Sequence, residues 1–172
     1  MSNNVPNCGT HNDSKIAEST QEISKVGIYL AREDAVMPTR AYEGDVGYDI
    51  YAVEDYTIPV GVIVEIKTGI HLVLPKGVFA QVNTRSSHGK NGFYVHHGVI
   101  DPGYTGEVSV FFFNICGTMD DRGVIKKKEV IIKKGDKIAQ ILFHKGEYPE
   151  LERINTLPET ERGEKGFGSS GK

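Results

Sequence analysis

From residue 25 onward, short runs rich in valine, isoleucine, tyrosine and phenylalanine alternate with glycine, proline and aspartate turns. No window longer than about ten residues sustains an apolar period of 3.6, so any helix is short. That punctuation predicts strands near residues 26–30, 48–52, 62–67, 71–74, 78–83, 93–96, 107–115, 129–133 and 137–144. Pro38, Pro59, Pro75 and Pro102 fall between these runs, where a missing N–H does no harm. The 20 glycines in 172 residues exceed the roughly 7% average and fit a turn-rich chain better than a helical bundle. Many short, closely spaced strands predict an all-β sandwich, barrel or jelly roll. No internal repeat is present.

Composition divides the chain into three parts. Residues 1–24 are rich in Asn, Ser, Thr and Gln and read as a flexible polar leader. A β domain is expected over residues 25–154. Residues 155–172 form a polar, glycine-rich tail, which at about 3.3 Å per residue can extend roughly 60 Å and reach a neighbouring subunit. Residues 1–24 do not couple a basic stretch to an apolar one, so no secretory signal is expected. Apolar runs fall far short of the roughly 20 residues of a membrane span. With 20 Lys and Arg against 23 Asp and Glu, the net charge of −3 favours neither nucleic acid nor an anionic membrane. Cys8 and Cys116 make no disulfide scaffold, and no zinc-ligand spacing occurs, so the default is a reducing compartment.

Five clusters carry possible chemistry, and each has an ordinary alternative. Arg85, Ser86 and Ser87 follow a predicted strand and offer a guanidinium fork and hydroxyls to phosphate oxygens, or form a polar hairpin loop. Asp101 precedes Pro102 and Gly103, with Tyr104 close behind; it is a general base or the first residue of a β-turn. Asp45 and Asp49 flank Gly47 and suit a hydrated magnesium ion or a blunted sheet edge. Gln140 interrupts an apolar strand and reaches a ligand or satisfies backbone. Phe167, alone among glycines, stacks on a planar ligand or belongs to a disordered end. His96 and His97 are adjacent on a strand and face opposite ways, which argues against chelation by both.

In order and spacing, these clusters resemble the five motifs of the trimeric deoxyuridine triphosphatase (dUTPase) family, across residues 41–171. Ala41, Asp45, Gly47, Tyr48 and Asp49 resemble the first motif, and Arg85, Ser86 and Ser87 the second. The third is similar to Gly98, Val99, Ile100, Asp101, Tyr104 and Gly106, and the fourth to the segment from Gly135 to Gln140. Arg162, Phe167, Gly168, Ser169, Ser170 and Gly171 are similar to the fifth. The resemblance implies a jelly-roll-like β-barrel of the β-clip type, assembled as a homotrimer with sites at the subunit interfaces and a C-terminal motif that closes over the nucleotide.

The reaction it implies is dUTP plus water giving dUMP and pyrophosphate, which limits uracil in DNA and supplies dUMP for thymidylate. Triphosphate carries about four negative charges that must be offset before a nucleophile approaches. By resemblance, Mg2+ held mainly by the phosphates does most of this, with Asp49, and Asp45 beside it, acting through coordinated water or by ordering the site. Arg85, Ser86, Ser87, Gln140, Arg162, Ser169 and Ser170 would donate to phosphate oxygens. Asp101 would hold the attacking water and take its proton. Backbone groups of Gly98, Val99 and Ile100 would read the uracil edge, Tyr104 would leave no space for a ribose 2′-hydroxyl, and Phe167 and Gly168 would close over the base.

Two departures from the family pattern stand out. Lys90 and Asn91 occupy positions where many members carry lysine at the second, and Lys137 stands where arginine is common. The rival with the same fold is dCTP deaminase, whose acid/base glutamate would fall at Phe111, with Glu107 out of register. A nucleotide-gated regulatory binding protein is the alternative from another class, and a regulatory protein partner is compatible with it. An intracellular, cytoplasmic location is expected, nuclear if the source is a eukaryote or its virus.

Overall fold

The computed structural model describes residues 25–115, 117–119, 122, 125–161 and 163–164. The leader, Cys8, Cys116 and the fifth-motif residues Arg162, Phe167, Gly168, Ser169 and Ser170 lie outside the described residues.

The described chain is all-β apart from one short helix. The strands in order are β1 (Gly27–Leu30), β2 (Tyr48–Tyr51), β3 (Tyr56–Ile58), β4 (Ile63–Ile66), β5 (Ile70–Val73) and β6 (Val78–Asn83). Helix α1 (Ser86–Lys90) follows, then β7 (Phe93–Val95), β8 (Val99–Ile100), β9 (Val110–Asn114), β10 (Gly117–Met119), β11 (Ile125–Lys127), β12 (Val130–Ile132) and β13 (Lys137–Lys145). Every pairing is antiparallel. The largest sheet runs β2-β13-β6-β8 and the second β4-β9-β7, with β1-β5, β3-β12 and β10-β11 as two-stranded ladders.

The expected barrel does not close among the described residues. Most strands have three to five residues, and β13 changes register between Lys137 and Ala139, so each ladder ends before it meets the next sheet edge. That bulge also turns Ile138 and Ala139, neighbours in sequence, both into the core.

Alternation builds the core. In β6, Val78, Ala80 and Val82 point inward while Phe79, Gln81 and Asn83 do not. Val110, Phe112 and Asn114 face inward from β9 and meet Ile50, Ile66, Leu72, Ile138 and Ile141 in one cluster. Each fully buried side chain of this size contributes about 1.5–3 kcal/mol. Asn114 is buried without cost because its Nδ2 donates to the carbonyls of Ile58 and Lys128, both at 2.9 Å.

For function, the central fact is the position of β6. One edge pairs with β13, Gln140 opposite Asn83; the other pairs with β8, Ala80 opposite Ile100. Strand β6 therefore carries a different candidate cluster on each edge.

Candidate functional site

At the C-terminal end of β6 lies a cluster of opposite charges. Pairing of β2 with β13 sets Asp49 opposite Gln140. Asp49 is almost fully buried. Its Oδ1 accepts from Arg85 Nε at 2.9 Å and, more loosely, from Gln140 Nε2 at 3.4 Å; its Oδ2 pairs with Lys137 Nζ at 2.8 Å. Burial alone would raise the Asp49 carboxyl; the Lys137 hydrogen bond and the Arg85 charge outweigh it and hold the group below the usual carboxylate range. Lys137, which stands where arginine is common in the family, is thus one of the two cations balancing this acid.

Gly47 has a local reason to be glycine. A Cβ there would stand 3.1 Å from Gln140 Oε1, so a side chain would push the amide off motif one. Arg85 is the N-cap of α1, and Ser86 and Ser87 are exposed in its first turn beside this cluster.

Along the β8 edge of β6 is a slot of about 300 Å³ whose wall includes Val82, Gly98, Val99, Ile100, Asp101, Tyr104 and Phe111. Tyr104 N–H donates to the Asp101 carbonyl at 3.1 Å, closing a turn in which Gly103 takes φ of +100° behind Pro102. That is the residue order a type II turn demands. It leaves Asp101 exposed at the rim. Tyr104 lies back over Gly106, donating its hydroxyl to the Glu107 carbonyl at 3.2 Å; a Cβ on Gly106 would meet that hydroxyl at 2.3 Å. Strand β8 is an edge strand, so among the described residues its outer backbone groups are unpaired and match a ligand with alternating donors and acceptors.

The sequence-derived residues therefore form two groups within one chain. Arg85, Ser86, Ser87, Gln140 and Asp49 gather at the C-terminal end of β6, while Gly98, Val99, Ile100 and Asp101 run back along its β8 edge, from Gly98 level with Val82 to Asp101 near the start of the strand, with Tyr104 beyond. Ile100 faces Ala80, which places Asp101 level with Phe79 and six residues of β6 from Arg85, roughly 20 Å along the strand. Asp45 joins neither group: its Oδ2 accepts the Tyr42 N–H at 3.0 Å, and it lines a separate cavity of about 460 Å³ with Met37, Arg40 and Phe143. Asn91 closes α1 by donating to the Ser87 carbonyl at 2.8 Å. His97 turns toward Thr84 while His96 lines the slot, so the pair does not chelate. Sequence reasoning passed over Ser109 and His96 as slot residues, because they join it only through the β6–β8 and β7–β9 pairings.

No group of three His, Cys, Asp or Glu able to hold a metal ion occurs among the described residues. Both oxygens of Asp49 already face cations. Among the described residues there is therefore no direct ligand set for Mg2+. No helix among the described residues is long and apolar enough to cross a membrane.

Fold and geometry together define a class: small all-β proteins that carry a charged cluster and a base-sized slot on the two edges of one strand. Within that class, residues 33–171 match the dUTPase family model. The chain is 40% identical over 154 residues to the human mitochondrial deoxyuridine 5′-triphosphate nucleotidohydrolase, a match covering 88% of this chain and 57% of that protein. The chain thus spans a little over half the length of that relative. A Staphylococcus bacteriophage 80alpha dUTPase solved with dUpNHpp superposes with a TM-score of 0.73 at 28% identity, covering 86% of this chain and 99% of that one. A mutant dUTPase from phage phi11 of S. aureus, described with a structural Mg(II) ion, gives a TM-score of 0.67 at 26% identity over 77% of this chain and 97% of that one. This chain belongs to the dUTPase family.

Proposed function

We propose that the chain hydrolyses dUTP to dUMP and pyrophosphate, as a homotrimer whose sites combine residues of different subunits. The observation that carries this reading is the split geometry of a dUTPase-family chain: the base-sized slot with Asp101 and the donor cluster around Arg85 cannot serve one nucleotide from a single copy. A second copy that brings its cluster to the first copy's slot completes the site. The exposed face of the β4-β9-β7 sheet, with Ile63, Tyr94 and Phe111, supports such an assembly.

In the assembled site, the outer edge of β8 reads the uracil edge and Tyr104 packs on the deoxyribose. Asp101 orients a water and accepts its proton as the oxygen attacks the α-phosphorus; the bond to the β-phosphate breaks and pyrophosphate leaves. Arg85, Ser86, Ser87 and Gln140 of the neighbouring copy offset charge on the phosphates, joined by Arg162, Ser169 and Ser170 when the tail closes with Phe167 and Gly168 over the base. Mg2+ would enter bound to the triphosphate and help offset its charge, since the described residues include no ligand set for it. Asp49 then acts by ordering Arg85 and Lys137.

Deamination of dCTP is disfavoured at the same slot. Phe111 occupies the wall where that chemistry needs an acid, and Glu107 Oε1 is engaged by the N–H groups of Thr68 and Gly69 at 3.2 and 2.8 Å.

Incubation with each deoxynucleoside triphosphate and magnesium tests the reading. Pyrophosphate and dUMP from dUTP alone support it. Ammonia from dCTP, or no product from dUTP, overturns it.

A further inference from the structure

Helix α1 has five residues, no side-chain cap, no acid in its first turn and no buried residue. So short a helix does not hold itself in place. Its position is set by side chains that reach out of it, and two of these land on consecutive carbonyls of β13. Arg85 Nη1 lies 3.4 Å from the Lys137 carbonyl oxygen, and His88 Nδ1 lies 3.1 Å from that of Ile138.

These carbonyls are available because of the bulge. Pairing of β13 with β6 begins only at Gln140, and its pairing with β2 shifts register between Lys137 and Ala139, so Ile138 has no partner in either ladder. A buried carbonyl left by a bulge needs a donor. His88 supplies it, which fixes the Nδ1–H tautomer, since a carbonyl only accepts.

The rest of the imidazole sits in apolar surroundings, edge-on to Phe93 and Phe112 with ring centres 6.1 and 5.4 Å away. Burial, and then the Arg85 charge, push the ring's pKa below its ordinary value, so it is held neutral. A leucine would fill the niche equally well and would not carry a polar ring into it. What the histidine adds is the hydrogen bond.

We propose that His88 is a positioning residue for triphosphate binding: by donating Nδ1–H to the Ile138 carbonyl, it locks the segment carrying Arg85, Ser86 and Ser87 onto the strand carrying Lys137 and Gln140. The donors are then presented to the phosphates as one preformed unit. This rests on the dUTP reading above for the identity of the ligand, while the clamp itself rests on the bulge geometry alone.

The test uses the full chain and two variants. His88→Leu keeps the packing and removes the donor; His88→Asn restores an N–H near the Nδ1 position. Loss of one hydrogen bond that organises the donors is expected to raise KM for dUTP about tenfold in His88→Leu, with kcat within about twofold. His88→Asn should recover most of that loss. Amide hydrogen exchange over residues 86–91 should be faster in His88→Leu than in the parent. An unchanged KM in His88→Leu, or His88→Asn no better than His88→Leu, overturns the inference. Parent protein that fails to hydrolyse dUTP overturns the functional reading instead, and the exchange measurement then decides the clamp without it: exchange unchanged in His88→Leu refutes it.

Discussion

Arg85 and Asp101 belong to opposite ends of the same strand, β6: Arg85 follows its last residue Asn83 by two positions, and Asp101 lies level with Phe79 near its start. No side-chain rearrangement bridges roughly 20 Å of extended backbone. A site using both residues on one nucleotide, as proposed above, would take them from two copies.

Complementation between defective chains follows from that separation. Arg85→Ala and Asp101→Asn should each be nearly inactive alone. Mixed by co-refolding in equal amounts, about a quarter of the sites in a cyclic trimer unite an intact Asp101 with an intact Arg85 from the neighbour. Activity of the mixture should therefore return to about a quarter of the parent's by pyrophosphate release. A mixture as inactive as its components would place both residues in a one-chain site or outside it.

Asp101 is exposed on a rigid turn, which suits a group that takes a proton from a bound water. Asp101→Asn preserves shape and removes basicity. Turnover should fall about a hundredfold or more while the affinity for dUpNHpp, measured by calorimetry, stays within a few-fold. Unchanged turnover would remove Asp101 from the mechanism.

Gly106 gives Tyr104 its resting place. Gly106→Ala would put a methyl group 2.3 Å from the tyrosine hydroxyl and 2.4 Å from the ring carbon bearing it, so the ring must lift from the slot wall. If Tyr104 excludes the ribose 2′-hydroxyl, discrimination between dUTP and UTP, read as the ratio of kcat/KM values, should fall about tenfold. The melting temperature should change little, because the aromatic ring is half exposed. Intact discrimination would show that another group reads the sugar.

What could be read from the sequence was what depends on near neighbours. The turn at Asp101, Pro102 and Gly103 announces itself because proline and glycine dictate its geometry locally. The alternation of β6 gives its bounds, residues 78–83, without error. Strands β3 and β8 escaped notice because three residues before Pro59 and two after Gly98 are too few to show a period. The same holds for the five-residue α1, read as a turn, and for β10 and β11. The bulge at Ile138 breaks the period outright. The role of Lys137 was hidden for another reason: its partner Asp49 is brought to it only by the β2–β13 pairing, a long-range event with no local signature.

That ion pair contributes to the acid sensitivity of the domain, Asp49 being the most buried lowered carboxylate among the described residues. Asp49 has its carboxyl held below the ordinary range, so the folded state favours the ionised form more than the unfolded chain does. Its stabilisation is fully present above the unfolded value near 3.8 and is lost as pH falls through the lower folded value. Removing one partner from a fully buried ion pair costs about 3–5 kcal/mol; Arg85 and Lys137 keep contact with water, so Asp49→Asn should cost about 2–3 kcal/mol at pH 7. The gap between parent and variant, taken from urea unfolding at successive pH values, should stay constant down to about pH 5 and then narrow steadily in more acid solution. A gap of the same size at every pH would mean that the variant loses packing rather than charge.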